Sequence, residues 1–188
     1  MTEHEYRVES TREELRPLPW LGVRRDTVAM PDGDSVERFY VDHSGAVVVA
    51  AVDEQDRVAL IHQYRHPARA KLWELPAGLR DVAGEDPVET ARRELAEEID
   101  LVAQHWRFLS DVYPSPGYSN ERVQVFVATG LSTVSQSQRF RRTHEEADLT
   151  VEWLPLSRVP EEILSGRIVN GVTIIALLTV LADRDRHH

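Results

Sequence analysis

Three carboxylates, Glu94, Glu97 and Glu98, stand at i, i+3 and i+4. At about 100° per helical residue, Glu98 lies about 40° from Glu94 and Glu97 about 60° the other way, so one helical face carries all three. Val88, Ala91, Leu95 and Ile99 form a separate apolar stripe for a core. Stacked like charges cost a helix a few tenths of a kcal/mol per pair, roughly. A hard divalent cation removes that repulsion, and carboxylate oxygens are the ligands Mg²⁺ prefers. The chemistry suggested is metal-assisted attack on an anionic substrate; taken alone, the three acids would equally suit a solvated face.

The elements that must position them are legible nearby. Asp86 can cap a helix, Pro87 suits its first position and Glu89 stands three residues after the cap, so a helix is expected to about Ile99. Upstream, Ala46–Val52 is a continuous apolar run and Val58–Tyr64 alternates, with Asp53–Asp56 as the turn, which reads as a hairpin in a half-buried sheet. Residues 1–45 read as a separate layer, with strand-like runs at Tyr6–Ser10, Trp20–Ala29 and Val36–Val41, punctuated by Pro17, Pro19 and the turn Pro31–Asp34. Strands are expected at Trp106–Val112, Val123–Thr129 and Leu149–Leu154, a polar loop at Ser132–Asp148, and helices at Pro160–Ser165 and Gly171–Asp183, the latter capped by Asn170. The fold class is α+β, a mixed sheet between helical layers with an antiparallel β layer in front.

Around the acidic helix lie Leu75-Pro76-Ala77-Gly78, then Glu85, then Arg93-Glu94-Leu95-Ala96-Glu97-Glu98-Ile99-Asp100-Leu101. This stretch resembles the Nudix box, G-x5-E-x7-R-E-U-x-E-E-x-G-U with U aliphatic, in which a loop, helix and loop hold the metal. Two departures stand out. Six residues separate Gly78 from Glu85 where the box has five, and Asp100 replaces the second glycine, at a left-handed position Asp tolerates less well than Gly. Neither removes a ligand. The resemblance implies a Nudix fold with Glu94 and Glu98 as principal metal ligands, Glu97 as a further ligand or its support, and the Ala77 carbonyl as a main-chain ligand. Gly78 supports the loop. Glu85 and Arg93 are expected to brace it as a salt bridge, with a direct substrate contact by Arg93 left open.

Residues outside the box resemble the ADP-ribose pyrophosphatase branch, most closely its actinobacterial members. Pro116 stands fifteen residues after Leu101, within Ser115-Pro116-Gly117, and Glu121 matches that branch's S-P-G-x-x-x-E segment. Gln63-Tyr64-Arg65-His66-Pro67 and Leu72-Trp73-Glu74 match it too. Arg65 would bring a guanidinium fork to the phosphates; Glu74 would take a sugar hydroxyl or sit in a salt bridge. In this branch a loop glutamate deprotonates water, and His144-Glu145-Glu146-Ala147-Asp148 occupies that place, with Glu145 favoured and Glu146 next. The resemblance implies an enzyme of nucleotide metabolism that cuts ADP-ribose to AMP and ribose 5-phosphate with two or three Mg²⁺ (or Mn²⁺). It also implies a homodimer, with residues 1–45 serving dimerisation and adenine binding and 46–188 forming the hydrolase domain. Trp20 and Tyr6 could stack on the base or simply pack the interface.

Composition narrows the alternatives. The 188 residues carry 32 acids against 22 bases, a formal charge of −10, so phosphate backbones are repelled and no nucleic-acid partner is expected. Cysteine is absent, which excludes disulfides, zinc–thiolate sites and cysteine nucleophiles. The longest apolar stretch, Val172–Ala182, is too short to span a bilayer, and residues 1–16 carry charges throughout, so a cytoplasmic protein without a membrane partner is expected. Rival readings are a Nudix hydrolase of a nucleotide sugar or dinucleoside polyphosphate, and a module that binds ADP-ribose without cutting it.

Overall fold

A computed structural model describes residues 5–135, 140 and 149–186. Its centre is β4 (Ala46–Ala51), the apolar run of the sequence, which pairs in parallel with β9 (Val123–Thr133) and antiparallel with β7 (Ala77–Leu79). With β8 (Leu101–Val112) these make a mixed sheet in the order β7-β4-β9-β8. A second, antiparallel sheet runs β10-β5-β6, from β5 (Arg57–Arg65), β6 (Ala70–Glu74) and β10 (Thr150–Pro155).

The apolar run is unbroken because both faces are covered. Val47, Val49 and Ala51 pack with Ala91, Leu95 and Ile99 of α1 (Pro87–Ile99). Val48, Ala50 and Val52 pack with Ala176, Leu177 and Val180 of α3 (Gly171–Asp185), which follows the short α2 (Val159–Leu164). Residues of β5 divide the same way, Ala59 and Ile61 toward α1, Val58 and Leu60 toward α3. The expected layer of strands between helices is therefore present. Each fully buried Leu, such as Leu95 or Leu177, contributes about 1.5–3 kcal/mol by leaving water.

The expected hairpin between β4 and β5 needs correction. Its turn forms, with one bridge at Val52–Val58 and Asp53 N–H donating to Arg57 O, but beyond that the strands part into different sheets. The chain from Leu72 to Leu79 separates them. It pairs first with β5, Glu74 opposite Ile61, and then crosses to β4, Ala77 opposite Val48. At the crossing, Pro76 O accepts the Val49 N–H at 2.8 Å, and the buried Leu75 donates its N–H to Thr173 Oγ at 3.2 Å. The split opens a cleft with Glu74 on one wall and Ala77 on the other.

The leading layer is a three-stranded antiparallel sheet, β1 (Val8–Leu18), β2 (Leu21–Ala29) and β3 (Ser35–His43). Strand β1 is longer than the sequence suggests and runs through Pro17, because an outer strand leaves its N–H groups free of the ladder. Asp42 ties this sheet together and to the core. It accepts from Arg16 Nη2 at 2.5 Å, pairs with Arg24 Nε at 2.9 Å, and accepts from Asn120 Nδ2 at 2.7 Å. Burial alone would raise the Asp42 pKa, but Arg16, Asn120 and Arg24 outweigh it and hold the carboxyl below its ordinary value.

Helix α1 starts and ends as its sequence dictates. Asp86 accepts the Val88 N–H at 3.0 Å, with Pro87 opening the helix. Asp100 closes it in the left-handed conformation, φ 57°, its N–H donating to Leu95 O. That geometry costs Asp up to about 1 kcal/mol relative to Gly. Strand β8 leaves directly from this cap, earlier than the expected Trp106, and β9 continues past Thr129, so Ser132 pairs with Val102 where a loop was expected. Among the described residues no helix is long and apolar enough to cross a membrane.

Candidate active site

Two carboxylates of α1 meet β7 at consecutive residues. Glu98, 3% exposed, accepts the Ala77 N–H on Oε2 at 2.9 Å. Glu94 lies against Gly78 so closely that a Cβ built there would stand 1.9 Å from the Glu94 Cδ. No other residue type leaves that space, so the box's first glycine serves a close approach and no turn. The sixth residue of the lengthened loop is absorbed in an exposed turn, where Glu85 N–H donates to Val82 O at 3.2 Å.

Arg93 is the counter-charge of the cluster. Its Nη1 donates to Glu94 Oε1 at 2.6 Å and lies 3.6 Å from Glu97, while Nη2 stands 3.6 Å from Glu85. Burial works against the charged guanidinium, but Glu94, Glu97 and Glu85 together raise its pKa above the ordinary arginine value. The expected Glu85–Arg93 pair is thus the longer of two contacts. Glu85 makes its short bond to Thr90 Oγ, at 2.7 Å, which fixes it to the first turn of α1.

Among the described residues no three His, Asp or Glu side chains are gathered as a ready cation cage. The residues nonetheless fit a hard dication. All donors are oxygens, two of the acids are nearly buried, and the space over Gly78 is filled by a carboxylate and not by a methyl group. Glu94, Glu98 and the Ala77 carbonyl, with Glu97 beside them, are the groups that would hold it.

On the other side of Ala77–Gly78 lies the cleft, about 730 Å³, bounded also by Arg65, Glu74, Glu121 and Asn170. Arg65 lines this cleft. Its Nε donates to both Glu74 oxygens at 3.1 Å and its Nη2 to Glu74 Oε2 at 2.7 Å. Glu74 also accepts from Asn170 Nδ2 at 3.1 Å and Gln63 Nε2 at 3.4 Å. Its oxygens are thereby occupied within the protein, so of the two roles left open, the salt bridge is realised and the sugar contact finds no free lone pair.

Pro116 and Gly117 stand apart from this cleft. They occupy an exposed turn, closed by Tyr118 N–H to Ser115 O at 3.1 Å, outside the cleft lining. Pro114 stands at the rim instead, and Glu121, from the same segment, does line the cleft. Near Glu121, His43 Nδ1 accepts the Gly45 N–H at 3.1 Å, which assigns its proton to Nε2. Trp20 packs edge-on against His43 and reaches the cleft; Tyr6 stands exposed on the leading layer. Sequence reasoning missed His43, Pro114 and the second bond of Asn170. Only the capping role of Asn170 had a local signal. Glu145 and Glu146 lie outside the described residues. A second cavity of about 480 Å³, around Val52, Trp106 and Val180, lies at the opposite end of β4 and holds none of the expected residues.

Gly78→Ala should expel the Glu94 carboxylate. A displacement of about 1 Å at a reacting centre costs about 100-fold in rate, and overpacking costs about 1–3 kcal/mol of stability. Turnover and thermal melting measured together check this; a Gly78→Ala protein with ordinary activity would show that the close approach is dispensable.

Comparison with known proteins agrees with this geometry. The family model described as NUDIX domain matches residues 42–170. An ADP-ribose pyrophosphatase of Mycobacterium tuberculosis is 44% identical over 97% of this chain and 86% of its own. A methanol dehydrogenase activator of Bacillus methanolicus is 33% identical over 81% of this chain and 80% of its own. The solved structure of an ADP compounds hydrolase superposes with a TM-score of 0.82, covering 100% of this chain and 98% of its own at 19% identity, which establishes a shared fold. The glycine of β7, the acidic turn of α1 and these likenesses have one explanation: the chain belongs to the Nudix family.

Proposed function

We propose that the protein hydrolyses the pyrophosphate bond of ADP-ribose, yielding AMP and ribose 5-phosphate. The observation that carries this reading is the pairing of Glu98 with Ala77 and of Glu94 with Gly78, on the strand that also walls the cleft. Similarity to the M. tuberculosis enzyme along nearly the whole chain supports the choice of ADP-ribose.

Enzymes of the Nudix family generally use divalent metal ions. Here Glu94, Glu98 and the Ala77 carbonyl would hold Mg²⁺ or Mn²⁺, two or three ions per site, with Glu97 as a further ligand or its support. Bound cations supply charge neutralisation at the phosphoryl oxygens. The chain's own residues do the rest. Arg65 orients the substrate phosphates, and Glu121 meets the substrate at the rim. Glu145, or Glu146 beside it, takes a proton from the attacking water. Water oxygen bonds to one phosphorus, the bridging P–O bond breaks, and the departing phosphate carries the electron pair. Arg93, held by Glu94, Glu97 and Glu85, keeps those acids in register.

The leading sheet supports a homodimer. Strand β1 is exposed along almost its whole length and, with Phe39 of β3, presents Val8, Leu15 and Leu18 to solvent. A second copy covering this layer would bring β1–β3 of one chain to the base bound by the other, with Tyr6 as a stacking group from the partner and Trp20 as one from the chain whose cleft it lines. The mass from solution scattering should be that of two chains; a monodisperse monomer contradicts the pairing.

Several kcal/mol of charge stabilisation at the transition state correspond to about 100-fold or more in rate. Glu94→Gln and Glu98→Gln should each lose that much turnover while melting near the parent temperature, since glutamine keeps the shape and an acceptor for Ala77 N–H. A parallel assay, reading AMP from ADP-ribose, GMP from a GDP-sugar and the nucleotide products of a dinucleoside polyphosphate, should favour ADP-ribose by about 10-fold or more in kcat/KM. Ordinary activity in both variants ends the site assignment; preference for another substrate replaces ADP-ribose within the same family.

A further inference from the structure

We propose that Asn170 is a positioning residue for substrate binding, acting on Arg65 through the buried carboxylate of Glu74. The inference rests on the reading that Arg65 meets the substrate phosphates. Glu74 is 3% exposed, and a carboxylate taken so far from water is tolerated only when hydrogen-bonded and paired. Arg65 and Asn170 share Oε1, at 3.1 Å each, while Arg65 Nη2 and Gln63 hold Oε2. The plane of the Glu74 carboxylate therefore fixes the plane of the guanidinium, as in any two-point arginine–carboxylate contact.

Asn170 is what fixes Glu74. Its amide does two jobs with its two ends, Oδ1 accepting the Thr173 N–H at 3.0 Å to cap α3 while Nδ2 donates to Glu74. Exchanging the two atoms of the amide would spoil both bonds at once, so the assignment is unambiguous. The first turn of α3 adds a second tie, Thr173 Oγ accepting the N–H of Leu75, the residue after Glu74. A residue 96 positions from Glu74 in sequence and in a different layer thus sets how Arg65 faces the cleft. Nothing in capping requires the second bond, and Ser or Asp would cap α3 equally well.

That division of labour supplies the test. Asn170→Asp keeps the cap but places a second carboxylate against Glu74 Oε1, and Asn170→Ser keeps the cap but cannot reach Glu74. With saturating Mg²⁺ and ADP-ribose, both variants should raise KM about 10-fold and hold kcat within about threefold; Asn170→Ser, which brings no second charge, should melt near the parent temperature, and Asn170→Asp below it. Arg65→Lys, which keeps Glu74 paired but has no planar fork, should also raise KM. In the Arg65→Lys background, Asn170→Asp should add less than about twofold, because there is no fork left to orient. An unchanged KM in Arg65→Lys would remove the phosphate role of Arg65 itself. A raised KM in Arg65→Lys with an unchanged KM in both Asn170 variants, or with effects that simply multiply, would overturn the role of Asn170 and leave the function standing.

Discussion

The site depends on one steric fact, that the Glu94 carboxyl occupies the volume where any side chain on residue 78 would begin. Such an approach needs two rigid bodies brought together, and the core supplies both. Strand β7 is held by its pairing with β4, and α1 is held by Ala91, Leu95 and Ile99 against the α1-facing residues of the same strand. Helix phase does the rest. With the apolar stripe seated on β4, Glu94 and Glu98 turn toward the edge where β7 lies, and Glu98 finds the Ala77 N–H one residue before Glu94 meets Gly78. A core of aliphatic packing worth a few kcal/mol per side chain thereby holds together charges that would otherwise spread apart.

Electrostatics divides the same region into two arginine-centred halves. On the α1 side, Arg93 is surrounded by Glu94, Glu97 and Glu85, and its raised pKa reflects three acids outweighing the cost of burial. On the cleft side, Arg65 is clamped by a single saturated carboxylate, Glu74. The two pairs have opposite logic. Around Arg93 acids outnumber the base, so the cluster has charge left for a dication. Around Glu74 donors crowd one carboxylate, so the pair has a fixed orientation and no room for another ligand. A chain of formal charge −10 thus handles an anionic substrate by a local arrangement of cations and not by its overall field.

How much of this could be read from the sequence follows from the range of each interaction. Helix α1 was legible to the residue, since its cap at Asp86, its opening Pro87 and its left-handed end at Asp100 are all local. So was the cap of α3 at Asn170. Strand β4, expected in a half-buried sheet, is covered on both faces, which its unbroken apolar run allows. What failed was non-local. The β4–β5 turn formed as expected, yet the strands part because the segment through Pro76 changes partners, which no local pattern records. Glu74 could not be assigned from sequence because its partners come from two other segments, β5 and the cap of α3, the farther at Asn170. Pro116 and Gly117 stand at the right distance from the helix along the chain, but their turn points outward and leaves Pro114 and Glu121 facing the cleft.

If α1 and β7 are packed together to hold a divalent cation, the protein binds one whether or not it turns over substrate. Calorimetric titration of Mg²⁺ and of Mn²⁺, with and without a non-hydrolysable ADP-ribose analogue, tests it without recourse to turnover. Saturable uptake by the parent protein is expected, tightened by the analogue and lost when Glu94 and Glu98 are both changed to Gln. No uptake by the parent protein under either condition, or undiminished uptake by the double variant, would contradict it.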